Sequence, residues 1–119
     1  MIKGVHSVII WTEDLGRLVP FYRDVVGLTP AMEGDAFAVF QAQSGAQLLL
    51  GRHSEVKGPS RDPNRVMVDL GVDDCRAEYQ RLNARGVQFV RTPSQEENGM
   101  WIATLKDPDG NLIQLLQDA

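Results

Sequence analysis

The sequence predicts an α+β domain built from two βαβββ modules, and three observations support it. First, Asp14 to Gly27 and Asp73 to Gly86 each span 13 positions, with Arg17 and Arg76 three residues after their aspartate. Asp favours a helix start and Gly a helix end. Second, each helical segment follows one β-rich run and precedes three more, so the same order repeats at an offset of 59. Third, the chain closes on Lys106-Asp107-Pro108-Asp109-Gly110-Asn111 between two apolar runs. Pro108 presets φ for a turn, and Gly110 supplies the positive φ of a short hairpin. Each module has a sheet face to cover, so neither half is expected to be a domain alone, and residues 1–119 read as one domain.

Val5 to Thr12 is the first strand. Asp14 caps a helix over about Leu15 to Val26, where Leu18, Phe21, Tyr22 and Val25 fall at i, i+3, i+4 and i+7 and make one apolar face. Pro20 lies inside this pattern and demands a first-turn position or a kink. Gly27 ends the helix. Strands are expected at Thr29 to Met32, Ala36 to Gln41 and Ala46 to Leu50, with turns at Glu33-Gly34-Asp35 and Ser44-Gly45. Module 1 covers about residues 1–51. Residues 52–64 are polar, with Gly58, Pro59 and Pro63, and read as a linker or mobile loop. Module 2, about residues 65–119, repeats the order. Arg65 to Val72 is a strand. Asp73 caps a helix over about Asp74 to Ala84 with the stripe Ala77, Tyr79 and Leu82, and Gly86 ends it. Val87 to Arg91 is a strand, and Pro93 to Asn98 a polar loop. The closing hairpin joins Met100 to Leu105 with Leu112 to Leu116.

With 119 residues the chain has room for one sizeable core. A net charge of −4 without a basic stripe argues against nucleic acid and against an anionic membrane surface as partners. Cys75 is the single cysteine, so no intrachain disulfide is possible. No apolar run approaches the ~20 residues that span a bilayer, and the start of the chain lacks a signal-peptide pattern. A soluble cytoplasmic protein is expected.

The string Asp107-Pro108-Asp109-Gly110-Asn111-Leu112-Ile113-Gln114-Leu115 resembles the C-terminal hairpin of the glyoxalase / bleomycin-resistance / extradiol-dioxygenase superfamily, also called vicinal oxygen chelate proteins. Phe21-Tyr22-Arg23-Asp24-Val25-Val26-Gly27-Leu28 resembles another segment of that family. The resemblance implies a cupped mixed sheet with helices on its outer face, and a homodimer. It also implies metal ligands, usually His and Glu, one from each of four strands. Those positions here are Ser7, Leu49, Met67 and Gln114, the last usually a Glu in the family. Leu offers no donor and Met only a soft one, so no metal or other cofactor is expected.

Side chains alternate along a strand. Val68, Leu70 and Val72 make an apolar face suited to a helix, which turns Met67, Asp69 and Gly71 toward the cup. By the same logic Val8 and Ile10 pack under a helix, while Ser7, Ile9 and Trp11 face the cup. Gln114 does so with Leu112 and Leu116, whereas Ile113 and Leu115 face the helices. The resemblance adds Ile102 and Thr104, which leaves Trp101 on the helix side. The expected lining for a small-molecule ligand is therefore Ser7, Ile9, Trp11, Leu49, Met67, Asp69, Ile102, Thr104 and Gln114, an apolar surface with a few placed polar groups. The carboxylate of Asp69 would pair with a cationic ligand group or with a nearby Arg such as Arg65.

His6 points away from the cup if its strand is regular. His53 and Glu55 have i, i+2 spacing but sit in the polar linker. Asp73 and Asp74 disfavour a thiolate at Cys75. No catalytic residue is assigned. Three functions fit. The first is a metal-free binding protein that sequesters an apolar or cationic aromatic compound. The second is a glyoxalase- or dioxygenase-like enzyme whose shifted metal site recruits His6, Asp69 and Gln114. The third is a dimeric scaffold with a filled cup. The missing ligands favour the first. The ligand's identity, and whether modules pair within one chain or swap between two, are not encoded legibly.

Overall fold

A computed structural model describes residues 1–42 and 45–119. It divides into two compact units, Met1–Gly58 and Pro59–Ala119, with the boundary inside the expected linker. Ser44, half of one expected turn, lies outside the described residues.

The first unit runs β1 (Ser7–Thr12), α1 (Leu15–Pro20), a π-helical segment (Phe21–Val26), β2 (Pro30–Glu33), β3 (Phe37–Phe40) and β4 (Gln47–Arg52). Its four strands lie in the order β1-β4-β3-β2, with β1 parallel to β4 and the other pairs antiparallel. The second unit runs β5 (Val68–Gly71), α2 (Cys75–Ala84), β6 (Phe89–Gln95), β7 (Trp101–Lys106) and β8 (Leu112–Gln117). Its order is β5-β8-β7-β6, with β5 parallel to β8. The βαβββ repeat is thus realised twice with one topology. Among the described residues no helix is long and apolar enough to cross a membrane.

The first helix differs from expectation at Pro20. Asp14 caps it as expected, its carboxylate accepting the Arg17 N–H at 3.2 Å. Pro20 has no N–H for the helical ladder and its ring crowds the preceding turn, so the coil widens there instead of continuing as one α-helix. The Gly27 N–H then reaches five residues back to the Tyr22 carbonyl, at 3.1 Å, with Gly27 at φ 93°. The widened turn buries Tyr22 against Phe40, ring centroids 6.5 Å apart. Leu15, Leu18, Val19, Ala38, Leu48 and Leu50 are the other buried apolar residues of this unit. Val8, expected among them, is 37% exposed at the sheet edge.

The second helix is capped one residue later than expected. The Val72 N–H bonds Leu116 O at the end of the strand, and Asp74 rather than Asp73 accepts the Ala77 N–H at 3.1 Å, next to a Cys75 N–H that bonds Gln117 Oε1 at 2.8 Å. The shift turns Cys75, not Ala77, into the core beside Leu82. Beneath them lie Ala103, Leu105, Ile113 and Leu115. The closing hairpin is built on Asp107, whose carboxylate accepts the backbone N–H groups of Asp109 and Asn111 and the Asn111 side-chain amide at 2.8–2.9 Å. Gly110 supplies the expected positive φ, 78°.

Two further expectations change. β5 starts at Val68, which leaves Met67 just before the strand. β6 continues to Gln95 through residues read as a loop. Pro93 fits because β6 is an edge strand, where one face of the backbone needs no ladder partner. The register of β6 on β7 shifts between Phe89 and Arg91 and again before Ser94.

Candidate functional site

In the second unit, the sheet face away from α2 carries one polar row. Asp69 on β5 is in register with Gln114 on β8, Gln114 with Thr104 on β7, and Thr104 with Arg91 on β6. Three of these were expected together and are hydrogen-bonded. The Thr104 hydroxyl donates to Gln114 Oε1 at 3.3 Å, and Gln114 Nε2 donates to Asp69 Oδ1 at 2.9 Å. A carboxylate can only accept, so this fixes which way the Gln114 amide points. Thr104 is buried, Gln114 half-buried and Asp69 exposed.

Rows of different chemistry flank this one. On one side Gly71, Leu116, Ile102 and Ser94 are in register; on the other, Leu112 is paired with Lys106. The polar row therefore has Leu116 and Ile102 beside it on one side, and Leu112 and Lys106 on the other. Asp69 has no basic partner among the described residues: the Arg65 guanidinium, its expected neighbour, bonds Asp62 at 3.0 Å.

Arg91 was not foreseen. The irregularity after Phe89 re-aims β6, so that Arg91 rather than Val90 comes opposite Thr104. Its guanidinium bonds the Ser94 hydroxyl at 2.7 Å and Glu96 Oε1 at 2.6 Å. Pro93 within a run of strand formers was the available signal, since Pro in a strand marks an edge or a bulge.

In the first unit, Ser7, Ile9, Trp11 and Leu49 share the sheet face away from the helix. Ile9 is in register with Leu49 and Leu49 with Val39; Trp11 is in register with Gly51 and Gly51 with Phe37. Ile9, Trp11 and Phe37 are 41, 45 and 43% exposed, which makes this an open apolar face. The indole of Trp11 lies over Gly51, and the His53 ring meets it edge-on at 5.3 Å. His53 Nδ1 accepts the Glu55 N–H at 3.1 Å, so this pair is a turn contact. Trp101 lies on the opposite face of its own sheet, under the Arg76 guanidinium of α2 at 4.4 Å.

The four positions matched to metal ligands do not fit a hard divalent ion. Leu49 has no donor atom, and Met67 offers a thioether. Gln114 turns its Nε2 toward Asp69 while its Oε1 accepts from Thr104. Ser7 Oγ lies 3.1 Å from His6 Nδ1, and His6 is exposed. Among the described residues no group of three or more His, Cys, Asp or Glu could hold a metal. Cys75 is buried. Burial first, then the charge of Asp74, pushes its thiol above the usual range against a smaller opposing effect of Arg76.

Comparison with known proteins agrees with the fold. The family model described as Glyoxalase/Bleomycin resistance protein/Dioxygenase superfamily matches residues 4–115. The uncharacterized protein YetH of Bacillus subtilis (strain 168) is 26% identical over 119 residues, covering 97% of this chain and 98% of that one. A probable lactoylglutathione lyase of Vibrio cholerae is 29% identical over 115 residues, covering 88% and 83%. Among solved structures, a member of the same superfamily from Sphaerobacter thermophilus superposes with a TM-score of 0.78 at 23% identity, covering 98% of each chain. Lactoylglutathione lyase from Agrobacterium tumefaciens gives 0.76 at 20% identity, covering 98% of this chain and 94% of that one.

Proposed function

We propose, from the premise that this chain belongs to the Glyoxalase/Bleomycin resistance protein/Dioxygenase superfamily, that it is a small-molecule-binding protein that works without a divalent metal. The observation that carries this reading is the polar row that ends on Asp69, a carboxylate with no basic partner among the described residues and with apolar side chains beside it. Such a surface suits an apolar or aromatic compound with a cationic group. The cation meets Asp69, and the hydrocarbon part covers the half-buried Leu116 and Ile102. An exposed ion pair alone contributes only ~0.2–1 kcal/mol, so the apolar area must supply most of the affinity and Asp69 the orientation. No nucleophile or general base is required for sequestration. The test is a melting-temperature screen of aromatic amines against the wild type and Asp69→Asn. Stabilisation by amines that the variant loses is the expected result; stabilisation that the variant keeps would exclude Asp69 as the anchor.

A second reading, a metal-dependent lyase of the glyoxalase type, is favoured by the Vibrio cholerae relative, named a probable lactoylglutathione lyase. Lactoylglutathione lyase activity of the purified chain, assayed with added zinc or nickel, tests it. Turnover that depends on the metal would replace the binding reading.

As an assembly we propose a homodimer, since closed two-fold pairing is the commonest arrangement of soluble oligomers. Sedimentation at micromolar concentration should give twice the mass of 13.2 kDa; a monomer there would refute it.

A further inference from the structure

We infer that the ligand of the Asp69–Gln114–Thr104 row carries a protonated amine with a hydroxyl or carbonyl oxygen on the adjoining carbon. This rests on the binding reading above and names the polar group that the site takes.

The argument follows from counting donors and acceptors. Asp69 Oδ1 accepts from Gln114 Nε2, and Oδ2 has no donor among the described residues. The Gln114 amide is fixed at both ends, its oxygen by Thr104 and its nitrogen by Asp69. That nitrogen carries two hydrogens. One is used on Asp69, and the second meets no acceptor among the described residues. The face therefore presents a charged acceptor and, beside it on the neighbouring strand, a neutral donor. The Thr104 hydroxyl hydrogen is already committed, and the residue is buried.

A ligand must answer both groups to avoid leaving one unpaired. A simple amine satisfies Asp69 alone. A guanidinium or amidinium carries only donors and brings N–H against the N–H of Gln114. A 1,2-amino alcohol or an α-amino carbonyl compound satisfies both: its ammonium donates to Asp69 Oδ2, and its oxygen accepts from Gln114. The far end of the row does not ask for an anion, because the charge of Arg91 is balanced by Glu96 at 2.6 Å. A zwitterion is not required. Substituents on the ligand's carbon skeleton would lie on Ile102 and Leu116.

The test compares two probes that differ by one hydroxyl, 2-amino-1-phenylethanol and 2-phenylethylamine. Each is titrated into the nitrogen-15-labelled full chain at neutral pH, following the Gln114 side-chain amide. The amino alcohol should bind about tenfold more tightly, the difference one hydrogen bond makes, ~1.4 kcal/mol. Asp69→Asn should weaken both probes. Gln114→Met removes the donor with little change in side-chain length and should erase the tenfold preference while the simple amine still binds. Gln114→Leu removes it with a shorter apolar side chain, which keeps the test open if the first variant does not fold. Equal binding of the two probes to the wild type, or a preference that survives loss of the Gln114 amide, would overturn the inference and leave the Asp69 anchor standing. No binding of either probe at millimolar concentration would overturn both this inference and the binding reading on which it rests.

Discussion

The indole ring of Trp11 packs against Gly51, so close that a Cβ there would sit 2.5 Å from ring carbon Cζ3. The two residues are register partners on β1 and β4, and the missing side chain is what lets the ring come this near. Gly51→Ala must therefore push the indole off the strand and away from His53. Because Trp11 is half-exposed and can swing outward, the stability cost should be small, about 1 kcal/mol, at the low end for overpacking. Tryptophan fluorescence should shift. An unchanged spectrum would mean that the ring does not rest on Gly51.

Trp11 and Trp101 should behave differently under truncation. Trp101→Ala removes a half-buried ring and its stacking with Arg76, and should cost about 2 kcal/mol, below the ~3–5 of a fully buried aromatic. Trp11→Ala should cost less and should instead weaken any aromatic ligand that stacks on the open face of the first sheet, by about 0.5–1.5 kcal/mol. Denaturant melts and ligand titrations of both variants check the contrast.

The purified protein should hold less than stoichiometric zinc, nickel, iron or manganese, and EDTA should leave its melting temperature unchanged. Elemental analysis decides this. The donor set of Ser7, Leu49, Met67 and Gln114 is the reason, together with the Gln114 nitrogen that faces Asp69.

Cys75 should react slowly with iodoacetamide at neutral pH, since it is buried and its thiol is shifted upward. The same shift sets the sign of an alkaline effect. In the unfolded chain the thiol ionises first as pH rises, so the folded state then holds the extra proton and stability declines above the usual thiol range. Cys75→Ala should flatten that decline. Rapid alkylation of the native protein would show that the thiol is not enclosed.

Much of the fold was legible because single residues carry it. Asp14 caps where expected, Gly27 and Gly86 take positive φ, and Asp107 to Asn111 form the hairpin. Alternation put Gln114 with Asp69, and the family resemblance added Thr104, which left Trp101 on the other face. What escaped depended on hydrogen bonds between distant segments. The cap lies at Asp74, next to a Cys75 N–H held by Gln117 Oε1, and Arg91 comes opposite Thr104 because β6 is irregular where it pairs with β7. Neither has a local sequence signal as strong as a cap or a turn.

The register of the polar row also bears on how the second unit folds. Thr104 meets Gln114 across 10 residues, whereas Asp69 meets it across 45. Closing the longer loop costs ~1.3 kcal/mol more in chain entropy, a difference proportional to the logarithm of the length ratio. The β7–β8 hairpin can therefore form early from local contacts, while β5 docks late beside β8. A newly made chain would hold Gln114 in place before the carboxylate arrives, so the anchor is the last part of the row to be assembled and the first to be lost when the sheet frays at its edge.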